Sequence, residues 1–323
     1  MQLKDLTERD VAGLLRGPGI RLNMGPFVLR LATPLKELVA PVHLLYANYT
    51  LADENALDDF DVKVAPWGLR QHLTRRDIWF FVDDAPMFSA FERRLALPML
   101  EWLVNWCVFT RPNQYLILHS AVVERGGHAV ILPGQPGAGK STLCAGLSLR
   151  GWRLLSDEVA VMRPPSVDLI PVPRPIGLKE GSIDVIKQFE PGVVMGPPTP
   201  GTRKGTVAHI QVDADAVTRG NETALPRLIV FPSYRQGVGL QLEPFSKART
   251  LLRVAQDAFN FSILGTTGFE TLASLVDASD CYTIVYSDME AAISTLNELI
   301  AREPTQARCE DYELTPALDR KAS

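Results

Sequence analysis

The chain has 323 residues, 46% of them hydrophobic and 22% charged, with a formal net charge of −4 and a pI near 5.8. That composition excludes a disordered chain and leaves no basic surplus for nucleic acid or an anionic membrane surface. The length suits one large domain or two.

Residues 1–112 read as an α+β recognition or oligomerisation domain. Leu3–Leu15 has helical apolar spacing, Ile20–Leu31 and Phe60–Val64 read as extended, and Asp77–Val82 reads as a strand. A helix is expected over Phe88–Phe109, ending before Pro112. His43 and His72 stand without partner motifs and read as structural or surface residues. Leu95–Phe109 is the most apolar stretch, but it contains Pro98, Glu101 and Asn105 and is shorter than the roughly 20 residues that span a bilayer.

Residues 113–302 change character and read as a second domain, which the motifs below mark as the catalytic one. Tyr115–Glu124 and His128–Leu132 are strands joined at Gly126-Gly127, and the second runs into a glycine-rich loop. Ser141–Arg150 is helical, and Arg153–Leu155 and Val159–Met162 are short strands around an acidic pair. Residues 191–205 hold four Pro and four Gly, a composition expected to be irregular, either a lid that orders on substrate binding or a disordered loop without a role. Leu228–Phe231, Gly239–Leu242 and Tyr282–Tyr286 read as strands, and Ser246–Phe259, Thr267–Leu275 and Met289–Ala301 as helices. Asn260 reads as a cap or core polar group, and residues 303–323 as a polar tail.

Four cysteines, Cys107, Cys144, Cys281 and Cys309, are scattered without CxxC or metal-ligand spacing, as in a reducing compartment. The charged N-terminus has no signal-peptide core, so a cytoplasmic protein without a membrane partner is expected.

The loop Gly134-Gln135-Pro136-Gly137-Ala138-Gly139-Lys140-Ser141-Thr142 satisfies G-x-x-x-x-G-K-[ST] between a strand and a helix. Its glycines let backbone N–H groups converge on a phosphate, Lys140 brings a positive charge to the β/γ oxygens, and the Ser141 hydroxyl suits Mg²⁺. Thr142 is placed for the α-phosphate. ATP and Mg²⁺ are therefore the expected cofactors. Asp157 and Glu158 follow at the end of the next strand, where a carboxylate can hold Mg²⁺ or take the proton of an attacking hydroxyl.

These residues resemble the HPr kinase/phosphorylase family, and most closely its HPr-kinase-related group. The resemblance rests on His119, fifteen residues before Gly134; on the loop itself; and on Gly151, Arg153, Leu154, Asp157 and Glu158 after the helix. It implies an α/β fold of the phosphate-loop, PEP carboxykinase-related kind and a serine hydroxyl of a protein or peptide as acceptor. It also implies Asp157 as general base, Glu158 supporting metal or substrate, His119 near the transferred phosphate, and a homo-oligomer. The family's Glu-x-Arg-Gly-x-Gly segment has its counterpart in Val172-Pro173-Arg174-Pro175-Ile176-Gly177, which keeps the Arg and the last Gly but lacks the Glu. A second metal contact and the phosphorylase half-reaction are therefore not implied.

Phosphoryl transfer needs positive charge on the γ-phosphate, and one or two of the basic residues Arg174, Lys179, Arg203 and Lys204, Arg174 foremost, are expected to bring it, the others being surface charges. The sequence also accommodates a small-molecule kinase, or an ATP-binding regulatory or scaffold protein without turnover. Lys140, Ser141 and Asp157 together favour catalysis, and the missing Glu points the other way.

Overall fold

The computed structural model describes residues 1–53, 55–66, 77–135 and 137–302; His72, Pro136, Cys309 and the expected tail 303–323 lie outside them. The chain opens with a 3₁₀ turn at Leu3–Asp5, and α1 (Glu8–Arg16) begins only after Thr7. There Thr7 and Asp10 form a capping box, each side chain accepting from the other's backbone N–H at 3.2 and 3.1 Å. The expected run Ile20–Leu31 is a hairpin, β1 (Ile20–Met24) and β2 (Phe27–Ala32), because Gly25 turns the chain at φ +63°. After α2 (Val39–Leu45), the strands β3 (Phe60–Ala65), β4 (Asp77–Val82) and β5 (Ala85–Glu92) complete a sheet in the order β1-β2-β3-β4-β5.

The helix expected from Phe88 does not start there, because Phe88 lies in strand β5. Asp83 and Asp84 both take positive φ and make a two-residue turn, which folds β5 back on β4 with Val82 opposite Ala85. Helix α3 (Ala96–Thr110) starts only afterwards.

The second sheet is built from β6 (Leu116–Arg125), β7 (His128–Pro133), β8 (Arg153–Ser156), β9 (Val159–Met162), β13 (Leu225–Tyr234), β14 (Gln241–Pro244) and β15 (Asp280–Tyr286). Its order is β14-β15-β13-β7-β6-β8, with β9 also on β6. Strands β15, β13 and β7 run parallel, and the rest pair antiparallel. Gly126 and Gly127, both at positive φ, close the β6–β7 hairpin as the Gly-Gly pair suggested.

Ala129–Leu132 and Leu228–Phe231 are buried along their length, as central strands covered on both faces must be. One face carries α4 (Lys140–Leu149) and α9 (Met289–Ala301), whose Leu143, Leu147, Ile293 and Leu296 join Val130 and Leu132. The other carries α7 (Lys247–Gln256) and α8 (Phe261–Asp277), whose Val254, Leu272 and Leu275 pack with Ile131 and Ile229. The first of these cores continues without a break into the N-terminal sheet, through Leu103, Val104 and Tyr115.

A third sheet, β10 (Ile176–Lys179), β12 (Gly205–Ile210) and β11 (Thr199–Thr202), lies beside α5 (Gly181–Phe189); α6 (Ala214–Thr218) follows. Part of the stretch expected to be irregular is thus an ordered hairpin. The Thr202 hydroxyl donates to Gly205 O at 2.7 Å and accepts from Lys204 N at 3.0 Å, closing the turn that carries Arg203 and Lys204. The expected helices Ser246–Phe259 and Thr267–Leu275 correspond to α7, capped by Ser246, and to α8, which starts earlier and bends at Gly265. Among the described residues no helix is long and apolar enough to cross a membrane.

Candidate active site

Strands β7, β13 and β15 end at the same edge of their sheet, the edge where open α/β sheets bind ligands. From Pro133 the chain enters the glycine-rich loop and then α4. Gly137 and Gly139 take φ of +91° and +89°, conformations that side chains with a Cβ rarely hold. Gly139 also lacks room: a Cβ there would meet Tyr286 Oη at 2.9 Å and Tyr234 Cβ at 3.0 Å. The two tyrosines brace the loop, Tyr234 N donating to Ala138 O at 3.1 Å and Tyr286 Oη lying 3.4 Å from Gly139 O. Gly139→Ala is expected to lower stability by about 1–3 kcal/mol and to weaken nucleotide binding, measured by denaturant titration and calorimetry.

The loop opens onto a cavity of about 920 Å³, which Gln135, Gly137, Gly139, Lys140, Ser141 and Thr142 help to line. Gly134 and Ala138 complete the turn, Ala138 N donating to Gln135 O. Among the described residues the first intrahelical bond of α4 is Leu143 N to Gly139 O at 2.9 Å, and the N–H groups of Ser141 and Thr142 have no acceptor one turn back there. With the helix dipole they favour an anion at this end. Lys140 is 7% exposed, and among the described residues its Nζ has no hydrogen-bond partner. Burial pushes its ammonium down, opposed by the charges of Glu158, Asp157 and Asp257. An ammonium held this way is poised for a dense anionic partner.

Strand β6 brings the acidic pair to the loop. Its Ser120 lies opposite Pro133 on one side, while Val122 and His119 pair with Ser156 and Val159 on the other. Strands β8 and β9 therefore form one broken strand along β6, and Asp157-Glu158 is the break. The Ser156 hydroxyl holds it open, accepting from the backbone N–H of Glu158 at 3.3 Å and of Val159 at 3.1 Å. A strand interrupted in this way re-aims its side chains, as bulges beside active sites do.

The two carboxylates then diverge. Asp157 is 3% exposed, and burial, with the charge of Glu158 beside it, pushes its carboxyl up to about 7. The Gly177 N–H, donated at 2.9 Å, works against that rise without cancelling it. Burial also opposes the charge on Glu158, but His119 at 3.1 Å and the charge of Lys140 outweigh it and hold the carboxylate at about 2. One acid is thus poised near neutrality and its neighbour is firmly ionised, an arrangement that separates proton transfer from charge stabilisation.

Arg174 is buried, and its Nη2 donates to Glu101 Oε2 at 2.7 Å and Glu101 O at 2.9 Å. Glu101 also accepts from Tyr46 Oη at 2.8 Å. This carboxylate comes from α3, in the N-terminal part of the chain, and meets the Arg of the segment whose own Glu is missing. Glu101→Ala leaves a buried guanidinium without its counter-charge, so a loss of about 3–5 kcal/mol is expected in equilibrium unfolding, with Glu101→Gln costing less.

Lys179 and Lys204 line the same cavity as Lys140; Arg203 does not. Arg153 has a structural partner, Glu124, in a buried ion pair away from the loop. Asn260 is the core polar group expected: its side chain accepts from Ile117 N at 3.1 Å and donates to Tyr115 O at 2.5 Å.

Sequence reasoning missed Glu101, His209, Asp257 and the two tyrosines. Glu101 had a signal, since a carboxylate within an apolar helix needs a buried partner. His209 lies across from Gly177, and Asp257, on the turn after α7, accepts the His119 N–H at 2.8 Å through its backbone carbonyl. Neither carries a local pattern.

Among the described residues no three His, Cys, Asp or Glu side chains form a cage for a metal ion. Mg²⁺ does not require one, since it keeps waters and is held by one or two carboxylates together with substrate phosphates. Ser141, Asp157 and Glu158 fit that donor set, and the orphaned Lys140 ammonium with the glycine cradle fits a polyphosphate.

No family model matches the chain, and no curated protein matches it. Among solved structures, the HPr(Ser) kinase/phosphatase from Coxiella burnetii is similar over 57% of this chain and 93% of its own, at 13% identity and a TM-score of 0.26. A superposition at that level marks a distant likeness and transfers no chemistry.

Proposed function

We propose that the chain is an ATP- and Mg²⁺-dependent phosphotransferase acting on a hydroxyl, with a serine of a protein or peptide as the leading acceptor. The observation that carries this reading is the buried, unpartnered Lys140 ammonium facing the same cavity as Glu158, with the proton-accepting Asp157 beside it. A passive nucleotide-binding module has no use for a carboxyl tuned this way, which supports catalysis over a scaffold role.

Mg·ATP, when bound, supplies the transferable phosphoryl group and the metal charge that screens it. The loop residues Gln135 to Thr142, Lys140 among them, would bind and orient the phosphates, and Ser141 with Glu158 would hold the metal. Asp157 takes the hydroxyl proton as the acceptor oxygen bonds to the γ-phosphorus and the β–γ bridging P–O bond breaks toward ADP. His119 fixes the Glu158 carboxylate in place and keeps it ionised. Lys179 and Lys204 bring positive charge to the equatorial oxygens. Residues 113–302 are the catalytic part in this proposal, and residues 1–112 support it through the Glu101–Arg174 pair.

The test is incubation of the purified protein with γ-labelled ATP, Mg²⁺ and lysate from its source, with Asp157→Asn alongside. A labelled product that depends on Asp157 is the expected result and identifies the acceptor class. Tight ATP binding without any Asp157-dependent label would overturn the kinase reading in favour of a regulatory binder.

A further inference from the structure

A second cavity, of about 580 Å³, adjoins the first, and Ser141, Glu158, Lys179 and Lys204 line both. Asp157 lines only the second. Whatever occupies the second cavity therefore meets the phosphate end of the first at the acidic pair.

Three features of its lining define the occupant. Arg174 is 2% exposed, and although Nη2 is bonded to Glu101, its Nε and Nη1 have no partner among the described residues. Two buried donor nitrogens without acceptors can be satisfied by oxygen atoms of a ligand. The lining is also aromatic, with Phe88, Phe91 and Trp102 all supplied by residues before 112. Phe88 holds φ at +63°, a costly conformation for a bulky residue, with its ring 4.6 Å from that of Trp102. Trp102 remains 38% exposed. The rim on the hairpin side is cationic, formed by Lys179, Arg203 and Lys204, while the carboxylates lie at the junction or are bonded to Arg174.

We propose that this cavity is the acceptor site, and that it takes a compact hydroxyl compound or extended chain segment carrying an acidic group and an aromatic or apolar group. Its volume is that of a small-molecule site, an open cleft lined by residues of α3 and of the β11–β12 turn, and suits a compact ligand or an extended chain segment. The acidic group answers the rim and Arg174, the apolar group covers Trp102, and the hydroxyl is presented to Asp157. This inference rests on the kinase reading and adds the chemistry of its substrate; a free hydroxy acid and a peptide segment share that chemistry.

The experiment is calorimetry on the full chain, first with Mg²⁺ and a non-hydrolysable ATP analogue, then, with the analogue saturating, with two probe pairs. One pair is 3-phenyllactate against neutral 3-phenylpropane-1,2-diol. The other is an acetylated glutamate-phenylalanine-serine amide against its glutamine counterpart. The acidic member of at least one pair is expected to bind about tenfold more tightly than its neutral partner, the advantage of a charge-assisted hydrogen bond. Trp102→Ala is expected to weaken it by about tenfold, with partial rescue by Trp102→Phe. The preferred pair, and the probe that γ-labelled ATP then phosphorylates, separates a metabolite from a peptide as the source. Equal binding of acidic and neutral probes, indifference to Trp102→Ala, or no probe binding to nucleotide-loaded protein would overturn the proposal and leave the kinase reading standing. Failure of the nucleotide analogue itself to bind would remove the kinase reading and this inference with it.

Discussion

Asp157→Asn is expected to leave Mg·ATP affinity within a few-fold of wild type and to slow phosphoryl transfer by about 10²–10⁴-fold, the usual contribution of a positioned general base. The amide retains the shape and can still accept from Gly177 N–H, so binding survives while the proton acceptor is lost. The same change should stabilise the protein free of metal and nucleotide. The Asp157 carboxyl is raised from its ordinary 3.8 to about 7, so between those values the native state holds a proton that the unfolded state has released. Stability therefore falls as pH rises through that window. The asparagine variant should match wild type near pH 4 and exceed it by about 1–3 kcal/mol above pH 7, measured by denaturant titration at both pH values. A variant that loses stability at pH 8 would show that the contacts of the ionised carboxylate outweigh the cost of burying it.

Lys140→Ala is expected to weaken Mg·ATP binding by about 10–150-fold, the equivalent of one hydrogen bond to a charged group, and to abolish measurable transfer. Its effect on the empty protein should be small, because Lys140 makes no hydrogen bond there and its burial already disfavours the charge. Calorimetry with Mg·ATP reads the first effect, and thermal unfolding without nucleotide reads the second. Most buried charges, when removed, show the opposite pattern. Glu101 is the contrast within this molecule, since its loss strands Arg174 and should cost stability directly.

The parts of the site that were legible in the sequence are those that lie close along the chain. The loop needs glycine at Gly137 and Gly139 for local backbone reasons, and Lys140, Ser141 and the helix follow without a gap. Asp157 and Glu158 were readable because the break they make sits one short strand past α4, although the role of Ser156 in holding that break open was not. The hairpin β6–β7 announced itself through Gly126-Gly127. Where the reading failed, tertiary contacts decided. The chain from Phe88 has helical composition, yet the turn at Asp83-Asp84 commits it to pair with β4 as far as Glu92. The Pro- and Gly-rich stretch looked unstructured, yet Thr202 closes a turn that places Arg203 and Lys204 against the second cavity. Glu101 and Arg174 stand far apart in sequence, and only the packing of α3 against the segment before β10 joins them. No local pattern encodes such a contact.

The most direct test of the phosphotransferase assignment is to measure Mg·ATP affinity and single-turnover loss of the γ-phosphate on the same preparations of wild type and Asp157→Asn, with acceptor present. The expected result is similar affinity in both proteins and transfer lost only in the variant. Full transfer by Asp157→Asn, or an equal collapse of binding and transfer together, would contradict the assignment of Asp157 as the base that takes the acceptor proton.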